Sequence, residues 1–275
     1  MNGGRVATAS GAILADAALV EAVLEAARVR AGAAIAADSL FEPQFWNTHG
    51  RMTPVGRGRG AAWFIDQGAE HWVLRHYRRG GWVARLSRDR YLWTGESRVR
   101  AFAEFRLLAA LVAQGLPVPV PIAARYDRQG LWYRCDLITR RIAGAVALSD
   151  MLAASALSDA SWRRIGSTIA RLHAAGADHA DLNAHNVLID ERGLISVVDF
   201  DRGRRRGAVP EAKRTRPGPE PKRAWAAGNL RRLRRSLVKI SADLPPDRFS
   251  DDAWRSLEGG YAERAQHAER AAADE

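Results

Sequence analysis

The spacing of apolar positions changes several times along the 275-residue chain, and each change marks an element. The first 38 or so residues are Ala-rich with only a weak helical pattern, so they read as an accessory helix or a mobile extension. From about Phe41 short apolar runs take over. Ala61 to Ile65 and His71 to Leu74 predict two strands joined by a polar turn, Asp66 to Glu70. Just ahead of them Gly56, Gly58 and Gly60 alternate with Arg57 and Arg59, giving a hairpin with a glycine-rich tip. Ala101, Phe105, Leu108 and Val112 then fall at helical spacing between Arg98 and Gln114, and Gly115 closes that helix. Prolines hold Pro117 to Ile122 extended, and Leu131 to Ile138 predicts another strand.

Beyond Ser158, a natural N-cap, Trp162, Ile165, Ile169 and Leu172 form the buried stripe of a second helix ending near Gly176. A loop from Asp178 to Asn186 leads into two short strands, Val187 to Ile189 and Leu194 to Val198, around the turn Glu191-Arg192-Gly193. Residues 207–223 hold four of the chain's 11 prolines and little that can be buried, so they read as an exposed loop. Trp225 to Ile240 returns to helical spacing through Leu230, Leu233 and Leu237, with arginines on the other face.

Composition narrows the class. With 47% hydrophobic and 27% charged residues the chain can build a real core, as one large domain or two small lobes, which excludes collagen-like, repeat and wholly disordered readings. The single Cys135 cannot form an internal disulfide, so a reducing compartment is expected and no cysteine-based zinc cluster is possible. Arg5, Asp16, Glu21 and Glu25 interrupt the N-terminal alanines, which is unlike a signal peptide. The longest uncharged stretch, Leu107 to Ala124, is broken by Gly115, Pro117, Pro119 and Pro121, so any membrane contact is expected to be peripheral.

Charge is concentrated in one place. The net charge is +11, and between Arg202 and Lys239 stand 14 Lys or Arg against two acids, a net +12 that leaves −1 for the rest. A single basic block points to an anionic partner: nucleic acid, anionic lipid or a phosphorylated ligand.

The chemistry-bearing segment is His179-Ala180-Asp181-Leu182-Asn183-Ala184-His185-Asn186, followed after a hairpin by Asp199-Phe200-Asp201. An Asp/His/Asn-rich loop alone is often just a turn held by its own side chains. Here it follows a helix, precedes a hairpin and is completed by Asp199-Phe200, which resembles the H-x-D-L-x-x-x-N and D-F-x pattern of protein-kinase-like enzymes. Phosphoryl transfer needs positioned magnesium and a carboxylate that orients the attacking hydroxyl. Asp181 suits the second role, and Asn186 and Asp199 offer hard oxygen atoms to Mg2+. For ATP, Gly56, Gly58 and Gly60 suit a phosphate-covering loop, and Glu104 stands where the kinase helix glutamate belongs. No lysine precedes the loop, and the strand position that carries lysine in protein kinases holds Arg75, whose guanidinium can pair with Glu104 and contact phosphate. The fold class is thus α+β, a protein-kinase-like two-lobed fold. A small antiparallel-sheet N-lobe with one main helix is expected over 39–140, after the 1–38 extension. A mainly helical C-lobe over 141–275 would carry the basic loop 202–223 and the basic helix 225–240.

The sequence further resembles the 3-deoxy-D-manno-octulosonic acid (Kdo) kinases of lipopolysaccharide core assembly. The resemblance runs from about residue 40 to 240 and rests on Gly58-Arg59-Gly60, Leu74 to Gly81, Glu104 to Leu108, His179 to Asn186, Asp199 to Arg204, and Trp225 with Gly228 to Leu233. It implies ATP-dependent phosphorylation of the 4-hydroxyl of Kdo on a lipid A precursor at the cytoplasmic face of the bacterial inner membrane. It also makes arginine at position 75 the expected residue. Arg202, Arg204 and Arg205 would then hold the acceptor's phosphates or carboxylate, and the Arg231 to Arg235 helix would lie on anionic headgroups. Two other readings compete. Another small-molecule kinase of the same fold, of heptose or aminoglycoside type, is opposed by Leu74 to Gly81. A non-catalytic nucleic-acid binder lacks interleaved aromatics in the basic block and leaves Asp181, Asn186 and Asp199 unexplained, so no nucleic acid is expected.

Overall fold

The computed structural model describes residues 3–31, 35–55, 62–78, 89–206 and 221–271. The chain divides into two compact units, the first comprising Met1–Ala109 with Pro119–Ala143 and the second Ala110–Val118 with Gly144–Glu275.

The first unit is built on an antiparallel sheet of eight strands: β1 (Gly3–Ala7), β2 (Gly11–Asp16), β3 (Arg51–Pro54), β4 (Ala62–Gln67), β5 (Glu70–His76), β6 (Tyr91–Leu92), β7 (Pro121–Gln129) and β8 (Trp132–Arg140). Their order is β1-β2-β7-β8-β5-β4-β3, with β6 also pairing β8. Helices α1 (Ala17–Ala31), α2 (Pro43–His49) and α3 (Arg100–Val112) accompany it. The expected hairpin is present as β4 and β5, paired from Ala62↔Arg75 to Gln67↔Glu70, but its glycine-rich tip, Gly56, Gly58 and Gly60, lies outside the described residues. On α3, Ala101, Phe102, Phe105, Leu108 and Leu111 are buried, and Gly115 follows with the positive φ of a helix stop.

Residues 3–31, expected as an accessory helix or an extension, do not stand apart from the first unit. Strand β2 pairs β7 from Gly11↔Asp127 to Ala15↔Ala123, and α1 buries Val20, Val23, Leu24 and Ala27 in the same core as Trp46, Ile65, Trp72 and Leu74. The strand escapes a sequence reading because Ala12 to Ala15 are all buried, which removes the period-two alternation, and because its partner is over a hundred residues away. Strands β1, β3 and β6 also enlarge the sheet beyond the small one expected.

The second unit contains β9 (Val146–Ala147), α4 (Leu148–Ala154), α5 (Asp159–Ala174), β10 (Ala177–Asp178), β11 (Val187–Ile189), β12 (Ile195–Val197), β13 (Arg204–Arg205), α6 (Pro221–Ser241) and α7 (Asp251–Ala271). Helix α5 starts as expected: Ser158 accepts a hydrogen bond from Ser161 N–H, and Trp162, Ile165, Ile169 and Leu172 are buried. Helix α7 packs along α5 at very short range. A Cβ added at Gly166 would stand 1.9 Å from the Leu257 carbonyl oxygen, and one at Gly260 would stand 2.1 Å from that of Arg163. Of the expected loop 207–223, residues 207–220 lie outside the described residues, and Pro221 already opens α6. The α+β class is as expected, with the large sheet in one unit and most of the helical residues in the other.

Candidate active site

In the second unit, Gly176 ends α5 at φ +77° and packs against the Arg206 backbone, which leaves no space for a Cβ. The chain then forms the two-residue strand β10, paired with β13 through Ala177↔Arg205 and Asp178↔Arg204. His179 follows, almost fully buried. Its Nε2 lies 2.9 Å from the Val198 carbonyl oxygen, and its Nδ1 accepts the Asp181 N–H at 3.2 Å. One tautomer satisfies both bonds, the neutral ring protonated on Nε2. Burial lowers the pKa of this imidazole, which keeps it neutral. The ring also contacts Phe200 at 4.6 Å, so a single histidine ties the loop to the segment carrying Asp199.

Asp181 is exposed. Its carbonyl oxygen accepts bonds from Asn186 Nδ2 at 2.9 Å and Asn183 Nδ2 at 3.2 Å, while Asn183 Oδ1 accepts the N–H groups of His185 and Asn186. The loop is therefore closed on itself around Asp181. Strands β11 and β12 pair from Val187↔Val197 to Ile189↔Ile195, and Val198 N–H donates to the Asn186 carbonyl at 2.9 Å. This hairpin brings Asn186 and Asp199 to the same end. Asp199 has φ +63° and Arg202 φ +59°, left-handed backbone that non-glycine residues adopt at a cost and that clusters at functional sites. Arg202, Arg204 and Arg205 are exposed.

In the first unit, Arg75 on β5 and Glu104 on α3 form an ion pair through Nη2 and Oε2. The Tyr77 hydroxyl donates to the same carboxylate oxygen, and Arg75 Nη2 lies 2.9 Å from that hydroxyl. Glu104 is 4% exposed, so its charge is offset by these two partners rather than by water. Burial raises the Tyr77 phenol well above its usual range, with the Arg75 charge working against it. One guanidinium nitrogen, Nη2, thus makes both contacts that fix the arginine standing where protein kinases carry lysine.

A layer the sequence reading missed supports the loop from behind. Asn229 Nδ2 donates to Asp178 Oδ1 at 3.0 Å and to the Trp225 carbonyl at 2.8 Å, and Asn229 Oδ1 accepts the His179 N–H at 2.9 Å. Arg232 Nη2 donates to the His179 carbonyl at 3.0 Å, and Ser236 Oγ accepts the Ala184 N–H at 3.1 Å. The available signals were the resemblance at Gly228 to Leu233, which includes Asn229 and Arg232 without a role, and the helical spacing of 229, 232 and 236 beside the apolar stripe Leu233 and Leu237.

A family model described as Lipopolysaccharide kinase (Kdo/WaaP) family matches residues 43–261. The chain belongs to this family. A protein of Stenotrophomonas maltophilia named 3-deoxy-D-manno-octulosonic acid kinase is 49% identical over 217 residues, covering 78% of this chain and 81% of the relative. Proteins of the same name from Xanthomonas euvesicatoria and Xanthomonas oryzae are 48% and 46% identical, each alignment covering 79% of this chain and 81% of the relative. The protein is therefore a kinase, and membership implies ATP as its phosphoryl donor.

Among the described residues no group of three or more His, Cys, Asp or Glu side chains is placed to hold a metal ion. Asn186 and Asp199 nonetheless fit magnesium in their chemistry. Both offer hard oxygen atoms, and the Asn186 amide nitrogen is already engaged by Asp181, which leaves the amide oxygen as the donor. Magnesium in kinases takes few protein ligands, the nucleotide phosphates supplying others.

Proposed function

We propose that this kinase transfers the γ-phosphoryl group of ATP to the 4-hydroxyl of a Kdo residue on a lipid A precursor, Kdo-lipid IVA. One observation carries the reading: the closed loop that exposes Asp181 beside Asn186 and Asp199, in a chain nearly half identical to proteins named for this activity.

Asp181 accepts the proton of the acceptor hydroxyl as its oxygen bonds to the γ-phosphorus and the bond to the β-phosphate oxygen breaks, releasing ADP. Asn186 and Asp199 would hold Mg2+, which when bound offsets the charge on the phosphates. Arg75, oriented by Glu104 and Tyr77, presents its guanidinium to nucleotide phosphate. Arg202, Arg204 and Arg205 are exposed and begin three residues after Asp199, which suits them to the acceptor's phosphates or carboxylate.

The acceptor is a membrane lipid, and we place the enzyme at the cytoplasmic face of the inner membrane as a peripheral protein. Among the described residues no helix is long and apolar enough to cross a membrane. Helix α6 has no acidic residue in its 21 positions, and Arg231, Arg235 and Lys239 recur every fourth residue along one stripe. Like charges at that spacing repel, and an anionic headgroup layer removes the repulsion.

The test is transfer of labelled phosphate from ATP to purified Kdo-lipid IVA, with unmodified lipid IVA as control. Asp181→Asn and Asp199→Asn are each expected to reduce turnover by at least a hundredfold while the far-ultraviolet circular dichroism is unchanged. Near-normal turnover in either variant, or equal labelling of the control lipid, would sink the assignment.

A further inference from the structure

We infer that Asn229, on the basic helix α6, is a positioning residue for Asp181. The inference rests on the kinase reading above and concerns a side chain that touches neither nucleotide nor acceptor in that reading.

Asn229 is completely buried, and both ends of its amide are committed: the nitrogen to Asp178 Oδ1 and the Trp225 carbonyl, the oxygen to the His179 N–H. Asp178 is held from its other side, where Arg206 Nε and Nη2 reach Oδ2 at 3.0 and 2.8 Å. One carboxylate therefore joins the basic segment that follows Asp199, the start of the catalytic loop and α6. Arg232 fixes the carbonyl of His179 and Ser236 fixes the N–H of Ala184, so α6 grips the loop backbone on both sides of Asp181. Asp181 itself is exposed, and its N–H leans on His179 Nδ1. Its carboxylate inherits its direction from a backbone that α6 sets. A displacement of about 1 Å at a reacting group can cost about a hundredfold in rate, so this grip bears on kcat directly.

Asn229→Asp removes both amide donors and sets a second carboxylate beside Asp178. Adding Asp178→Asn restores one bond with its direction reversed, because the introduced amide at 178 donates to the introduced carboxylate at 229, whose other oxygen still accepts from His179. Asn229→Asp is expected to lower kcat at least tenfold with KM for ATP within twofold, and the double variant to recover at least half of that loss on a logarithmic scale. Ser236→Ala, a milder change, is expected to lower kcat two- to fivefold at an unchanged thermal midpoint. Hydrogen exchange provides a readout independent of turnover: the His179 amide should exchange at least tenfold faster in Asn229→Ala, which removes its acceptor, and the Ala184 amide at least tenfold faster in Ser236→Ala. Folded Asn229→Asp enzyme with wild-type kcat, a loss the double variant does not recover, or unaltered exchange at both amides would overturn the inference. If wild-type protein failed to phosphorylate the Kdo acceptor, the proposed function would fall, and the exchange experiment would still decide whether Asn229 holds the loop.

Discussion

At the residue scale the structure turns isolated charges into pairs with assigned work. The Glu104 carboxylate accepts from Arg75 and from the Tyr77 hydroxyl, so removing it strands two polar groups at once. Glu104→Ala is expected to cost about 2–4 kcal/mol of stability in urea unfolding and to weaken ATP binding. Arg75→Lys keeps a charge to pair with Glu104 but replaces the planar guanidinium by a compact ammonium, so it should raise KM for ATP while leaving the unfolding midpoint closer to wild type. His173 makes a different prediction. Its Nδ1 lies 2.8 Å from the Tyr261 hydroxyl, and burial lowers its pKa to about 4, with Asn229 and Asp178 recovering part of the loss. A histidine with a depressed folded pKa contributes nothing to pH dependence above its unfolded value near 6.5 and destabilises as pH falls from there toward 4. The loss amounts to roughly 3 kcal/mol at about 1.4 kcal/mol per pH unit. His173→Gln should flatten the stability profile between pH 6.5 and 4.5, and an unchanged profile would remove His173 from the account.

Helices α5, α6 and α7 show how much an element's role depends on what it faces. The close approach of α5 and α7 admits no side chain at Gly166 or Gly260, where a Cβ would overlap backbone of the partner helix. Gly166→Ala and Gly260→Ala are each expected to destabilise by about 1–3 kcal/mol, read as a lower thermal midpoint. The neighbouring Gly259→Ala is the control, since its Cβ would meet only the flexible end of Arg163 at 3.5 Å and helix propensity favours alanine. Helix α6 is two-sided. The sequence reading gave its arginines to the membrane as one group, yet Arg232 bonds the His179 carbonyl and Arg234 lies 3.0 Å from Asp251 and over the Trp254 ring. Arg231, Arg235 and Lys239 form the remaining stripe.

For the whole molecule, the +12 between Arg202 and Lys239 divides accordingly: Arg206 and Arg232 support the loop, and exposed members remain for anionic ligands. Neutralising Arg231, Arg235 and Lys239 together should reduce sedimentation with anionic vesicles at least fivefold with little change in KM for ATP. Raised salt should reproduce the effect in the unaltered protein. Residues 3–31 are integral to the first unit. Deleting residues 1–31 would strip β2 from the edge of β7 and uncover the core around Trp46 and Trp72, so loss of cooperative unfolding and aggregation are expected. A truncated protein as stable as the full chain would contradict this.

Much of the catalytic loop was legible because its chemistry is local. Eight consecutive residues and a hairpin fix the spacing of Asp181, Asn186 and Asp199, and helical or strand periodicity marked out β4, β5, α3, α5 and α6. Those signals act over a few residues, where backbone geometry alone determines which side chains share a face. Long-range pairing is a different matter. That β2 joins β7, that α7 lies against α5, and that Asn229 and Arg206 meet at Asp178 depend on segments 28 to over 100 residues apart whose individual patterns are weak or uniformly buried. The sequence by itself determined the spacing of the residues proposed to react. Only the tertiary structure decided what holds them, because burial and hydrogen-bond satisfaction are properties of the packed chain.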